Sequence, residues 1–284
     1  MDRKYKLLPE TLLRLLLAFV LLQFGPAPLE RSAASVLNGA DPQSEALTVA
    51  TTVAPGVLVE LFTSEGCSTC PPADKLLADL ERNQPVNGVH VIILGEHVDY
   101  WNHLGWKDPF SSAQFSQRQT DYARALGIED VYTPQMIVDG RAQFVGSSLP
   151  KALEAIARAA TVPKASLAMA IKTVAPNSIN VMIQVKDVPN VSRGDKAEVV
   201  LAVVENGLMS KVTRGENSGR ALTHSAVTRK LIKVGPIEQG DVNRTVTLRL
   251  DPEWKPKNLK VVAFVQQRAR RGVLGVSAAG LGGE

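Results

Sequence analysis

The chain has 284 residues, 45% of them hydrophobic and 21% charged, an ordinary composition for a globular protein with a full apolar core. Its formal charge is +4, but residues 1–40 hold five Lys or Arg against three acids, so the remaining 27 basic and 25 acidic residues nearly balance. That balance excludes the basic footprint of a nucleic-acid binder, and the length allows about one or two domains.

Arg3, Lys4 and Lys6 precede an apolar stretch at residues 12–24 that only Arg14 and Gln23 interrupt, and small residues follow at Ser32, Ala33 and Ala34. The pattern is that of a secretory signal cleaved near Ala34. A retained N-terminal anchor is the alternative, although the stretch is shorter than the roughly 20 residues that span a bilayer. Either way residues 1–34 would engage the export machinery or the membrane, and the protein would be secreted or periplasmic. Residues 35–54 are mostly small or polar and read as a linker.

Residues 57–62 form an unbroken apolar run, apart from Glu60, that predicts a buried strand. Cys67 and Cys70 follow on a turn, and they are the two cysteines of the chain. Pro71 and Pro72 suit the first turn of a helix, where a missing N–H costs little, and Leu76, Leu77 and Leu80 give that helix an apolar face. Residues 89–95 predict a second, β-branched strand buried on both faces. An aromatic-rich loop at 97–110 leads to a helix at 111–126, capped by Ser111 or Ser112 and stopped by Gly127. A short strand at 135–138, an Asp139-Gly140 turn and a strand at 142–145 predict a hairpin, and 149–160 a closing helix. The order β-α-β-α-β-β-α at 55–162 is that of a thioredoxin-like α/β fold. From residue 165 to 284, alternating runs at 178–185, 197–204, 245–250 and 259–266 predict an antiparallel β-sandwich-like domain.

A Cys-x-x-Cys pair on a strand-to-helix turn is the arrangement of a redox dithiol, because the helix N-terminus favours a thiolate. Cys67 would be the exposed, attacking sulfur and Cys70 the resolving one. Outside the cytoplasm such a pair tends to oxidise. A bridge this short restricts the unfolded chain little, which argues against a purely structural role. Thr133-Pro134 precedes the 135–138 strand, where a cis proline would face the cysteines and leave the preceding backbone free for substrate. Tyr132 and Trp101 join it as candidate substrate contacts, with Trp106, Tyr100 and Phe110 either rimming a groove or packing in the core. His97 and Asp99, at the C-terminal end of the second strand, are auxiliary candidates for proton transfer, with a hydrogen-bonded loop histidine as the plain alternative. Arg214-Gly215-Glu216-Asn217-Ser218-Gly219-Arg220 reads as a long polar connection, with binding of a partner or contact with the first domain as the alternative.

The runs at 60–74, 97–101, 104–111 and 132–135, with 214–220 and 262–266 beyond them, resemble the secreted thioredoxin-like family catalogued as domain of unknown function 1223. The resemblance implies an exported protein with a thioredoxin-like N-terminal part, and brings no established reaction. Ser68-Thr69 between the cysteines departs from ordinary thioredoxins, and that intervening pair tunes redox potential. The expected function is thiol–disulfide exchange with a protein or small thiol or disulfide substrate and no cofactor. One alternative is copper(I) handling through Cys67, Cys70 and His97; a fourth ligand for structural zinc is missing from that set. The other is a non-catalytic binding module.

Overall fold

A computed structural model describes residues 47–51, 55–191, 193–238 and 240–282. The export segment read at 1–34 lies outside them, as does most of the linker, but Leu47–Thr51 within that stretch forms strand β1. Then come β2 (Gly56–Thr63), α1 (Pro71–Asn83), β3 (His90–His97), α2 (Ala113–Leu126), β4 (Gln135–Val138), β5 (Ala142–Val145) and α3 (Leu149–Ala160). The second half adds β6 (Ser166–Ala175), β7 (Ser178–Lys186), β8 (Ala197–Glu205), β9 (Leu208–Lys211), β10 (Ala221–His224), β11 (Val227–Ile237), β12 (Val242–Arg249), β13 (Leu259–Gln267) and β14 (Val273–Gly280).

The result is a mixed α/β structure built on one large sheet. Its eight strands run in the order β14-β13-β8-β11-β3-β2-β4-β5, so both halves of the chain share it. β2 and β3 are parallel from Gly56↔His90 to Thr63↔His97, and the β4–β5 hairpin continues antiparallel from β2. The seam between the halves is narrow: β11 meets β3 in parallel at Val227↔Gly95. Gly95 suits this seam, since a Cβ there would lie 3.3 Å from the Ser225 carbonyl oxygen.

Alternation along β8 and β13 assigns each face. Val200, Ala202, Val204, Val262 and Phe264 join the core under α1 and α3, with Leu77, Leu80, Ala152 and Ile156. Val199, Leu201, Val203, Val261, Ala263 and Val265 point the other way, onto β6 and β7. Those strands belong to a four-stranded sheet ordered β1-β6-β7-β12. β9 and β10 pair only with each other among the described residues, as a hairpin outside both larger sheets.

β11 is a strand that the hydrophobic pattern conceals. Its register shifts between Thr228 and Lys230 and again between Lys233 and Gly235, and each irregularity resets the two-residue period that a strand reading depends on.

Candidate functional site

The β2–α1 turn carries Cys67 and Cys70, joined by a disulfide with Cα atoms 5.5 Å apart. Cys70 is the N-cap of α1, with Pro71 and Pro72 behind it; its carbonyl accepts from the N–H groups of Ala73 (2.8 Å) and Asp74 (3.1 Å). The expectation that Cys67 is exposed is not met: it is 1% accessible, and Cys70 is 0%. Ser68 and Thr69 between them are exposed, and the Thr69 hydroxyl lies 3.4 Å from Cys67 Sγ.

What covers the turn comes from 150 positions along the chain. Asn217 Nδ2 donates to the carbonyls of both Glu65 and Cys67, each at 2.9 Å. Glu216 Oε2 accepts from the Ser68 N–H at 2.9 Å. Gly215 packs against Trp106, whose Cβ would lie 3.3 Å from a Cβ at that position. The 214–220 segment, read from sequence as a plain connection with contact to the first domain as the alternative, is therefore part of the site. Its polar, glycine-flanked composition allows such a contact, but only folding brings it to the cysteines.

Behind the disulfide is a buried histidine–carboxylate set. Glu65 is 1% exposed and uses every polar group. Its Oε2 accepts from Trp106 Nε1 (2.8 Å), its Oε1 lies 2.9 Å from His224 Nε2, and its N–H donates to Asp108 Oδ2 (2.9 Å). His97 Nδ1 is 2.7 Å from Asp108 Oδ2. The rings of His97 and His224 meet edge to face with centroids 4.8 Å apart, and Phe110 stands against both. Burial works against a charge on His97, but Asp108, then Asp74 and Glu65, outweigh it and raise its pKa above the ordinary histidine value. Burial likewise opposes the Asp108 carboxylate, yet His97 and the N–H groups of Glu65 and Phe110 hold its pKa below the usual value. Asp74 sits one helical turn beyond Cys70; burial raises its pKa, and His224 and His97 offset only part of that.

The remaining candidates fall on two sides. Trp101 and Thr133 come together, with Trp101 Nε1 donating to Thr133 Oγ1 at 2.8 Å. Trp101 also closes on the cysteine turn, its Cβ 3.1 Å from where a Gly66 Cβ would stand. The Thr133–Pro134 peptide bond is cis. Tyr132 is turned to β5, its hydroxyl donating to Gln143 Oε1 at 2.5 Å. Asp99 belongs to the start of α2 instead, where its Oδ1 accepts from Ser116 Oγ (2.5 Å) and Ser116 Oγ accepts from its N–H (3.0 Å). Among the described residues no three His, Cys, Asp or Glu side chains are grouped to hold a metal ion.

Fold and site together define a mixed α/β protein with a buried disulfide at a strand-to-helix turn. A family model described as "Protein of unknown function (DUF1223)" matches residues 58–266, and the chain belongs to that family. Among solved structures it is similar to a protein of Agrobacterium tumefaciens at 29% identity and a TM-score of 0.59, covering 80% of this chain and 95% of that one. It also shares its fold with HBP35 of Porphyromonas gingivalis, at 16% identity and a TM-score of 0.58, over 81% of this chain and 76% of that one. No curated protein matches the chain in sequence.

Proposed function

We propose that this is an exported, thioredoxin-like protein that exchanges thiols and disulfides through Cys67 and Cys70. The observation that carries the reading is the Cys67–Cys70 disulfide at the N-cap of α1. The partial positive charge of a helix N-terminus stabilises a thiolate there. The β-α-β-α-β-β-α order around it and the cis bond before β4 support the same reading.

In the reducing direction the Cys67 thiolate attacks one sulfur of a substrate disulfide, and the other substrate sulfur leaves as a thiolate that takes a proton. The Cys70 thiol gives up its proton and attacks Cys67 Sγ, which releases the second substrate sulfur and restores the protein disulfide. Run backward, the same steps pass the disulfide to a substrate dithiol, and two electrons move in either case. His97 and Asp74, both with raised pKa, provide groups that hold protons beside the α1 turn. Trp101, Thr133 and Pro134 form the docking side for the substrate chain, and Tyr132, bonded to Gln143 of β5, buttresses it.

The test is disulfide exchange with insulin as model substrate. Cys67→Ser should abolish turnover, and Cys70→Ser should trap mixed disulfides visible by non-reducing electrophoresis. Turnover unchanged in both variants overturns the reading.

A further inference from the structure

The β9–β10 hairpin has the construction of a flap. Its strands pair only with each other among the described residues, from Ala221↔Lys211 to His224↔Leu208. Its tip is closed on itself, with Val212 N donating to the Arg220 carbonyl (3.0 Å) and Gly219 N to the Val212 carbonyl (2.8 Å). At its base the chain turns through Gly207 at φ 70° and Ala226 at φ 48°. A closed tip on a two-stranded stem, with a turn at each foot, can move as a unit.

The stem is anchored by buried His224 on β10, 2.9 Å from Glu65 Oε1, and the tip itself is fastened to the cysteine turn by Asn217 and Glu216. Asn217 is wholly buried, and Arg220 Nη1 donates to its Oδ1 at 2.7 Å, which aims the amide nitrogen at the Glu65 and Cys67 carbonyls. Glu216 adds its bond to the Ser68 N–H from an exposed position. These contacts flank Cys67 on both sides, and Cys67 is 1% accessible. Thiol–disulfide exchange requires a sulfur to approach along the S–S axis, so a Cys67 this buried cannot be attacked from solution in this conformation.

We propose that the β9–β10 hairpin is a flap over the disulfide, that Asn217 is the positioning residue that latches it, and that a substrate reaches Cys67 only when the latch opens. This rests on the reading of Cys67 as the reacting sulfur and adds what controls access to it. The substrate it admits is one whose own chain replaces the hairpin's hydrogen bonds to the Cys67 carbonyl and the Ser68 N–H, which a protein disulfide in extended conformation does and a bare small thiol does not.

The experiment measures the rate at which dithiothreitol reduces the Cys67–Cys70 disulfide in the oxidised full-length protein, by iodoacetamide quench and mass spectrometry. Asn217→Ala, which removes both hydrogen bonds from the tip to the Glu65 and Cys67 carbonyls, should raise that rate about tenfold, and Glu216→Ala, which removes one exposed bond, about threefold. Asn217→Asp keeps the side-chain shape and the Arg220 partner without the donors, and should follow Asn217→Ala. Glu216 is exposed, so acceleration in its variant at an unchanged thermal midpoint reports local opening rather than loss of fold. Rates equal to wild type in Asn217→Ala and Glu216→Ala overturn the flap. Insulin turnover assayed beside them separates the two ideas. Faster reduction without turnover in any form keeps the flap and removes the exchange function, whereas turnover with unchanged reduction rates does the reverse.

Discussion

Asp108 accepts from two backbone N–H groups as well as facing His97, so one carboxylate fixes both the approach to the cysteine turn and the ring behind it. The signs of the two pKa shifts define when this contact helps the fold. His97, with its pKa raised, contributes stability that is complete below about 6.5 and lost as pH rises through its folded value. Asp108, with its pKa lowered, contributes stability present above 3.8 and lost as pH falls through its folded value. In Asp108→Asn the burial of His97 is opposed by less charge, so its NMR titration midpoint should move from above 6.5 to below it; a midpoint that stays above 6.5 would show that Asp108 is not what holds the proton. Another buried carboxylate points the opposite way to Asp108. Glu96, beside Arg118 (3.2 Å) and close to Glu60, has its pKa pushed up to about 8, first by burial and then by Glu60 against the pull of Arg118. The folded protein then holds a proton that the unfolded chain releases near 4.5, and stability falls as pH rises from there to about 8. Glu96→Gln should flatten that decline, read as urea midpoints at pH 5 and pH 8 that differ less than in wild type.

At the scale of elements, the β4–β5 turn shows how far local chemistry reaches. Asp139 and Gly140 have φ of 49° and 63°, the left-handed pair that a tight hairpin demands, and the Asp-Gly sequence announces it. What the dipeptide does not announce is its neighbour: a Cβ on Gly140 would lie 2.0 Å from the Arg271 carbonyl oxygen, in the turn between β13 and β14. Gly140→Ala should therefore cost roughly 2–4 kcal/mol, the left-handed penalty plus overpacking. Gly127→Ala, at φ 68° but facing open space, should cost only about 1 kcal/mol. Equal losses in chemical denaturation would remove the packing part of this account. The same division explains which elements were readable. α3 runs over 149–160 as its apolar spacing predicts, and α2 begins after Ser112 and ends at Gly127 because the caps are encoded beside it. β11 escaped because its irregular register hides the alternation. The site divides likewise. Cys67, Cys70, Thr133 and Pro134 are marked by their immediate neighbours. Asn217 and His224 stand 150 and 159 positions from the groups they bond, and no local spacing joins them.

For the whole molecule, the decisive feature is that no boundary at residue 163 leaves a closed core. One apolar cluster combines Val57, Leu58, Leu77 and Ile156 with Val200, Ala202, Val262 and Phe264. Gly56 lies against β14 so closely that a Cβ would be 2.7 Å from the Val276 carbonyl oxygen. Arg118 on α2 donates to Gln266 on β13 at 3.0 Å, far inside the protein. Cutting there would expose apolar surface worth about 25 cal/mol for each Å² and leave Arg118 without one of its buried partners. The opposing contributions to folding nearly cancel, so a domain cannot absorb a loss of that kind. A fragment of residues 55–162 should therefore retain far-ultraviolet helix signal but lose near-ultraviolet ellipticity and amide dispersion, and the region from 44 onward should unfold in one calorimetric transition. A well-dispersed spectrum from the fragment, or two resolved transitions in the intact chain, would mean that the first half folds by itself. The functional consequence follows from the same geometry. The cysteine turn is shaped by Asn217, Glu216 and His224, so a fragment that ends at 162 should also lack the protection of Cys67, and its thiols should alkylate at the rate of an unstructured peptide.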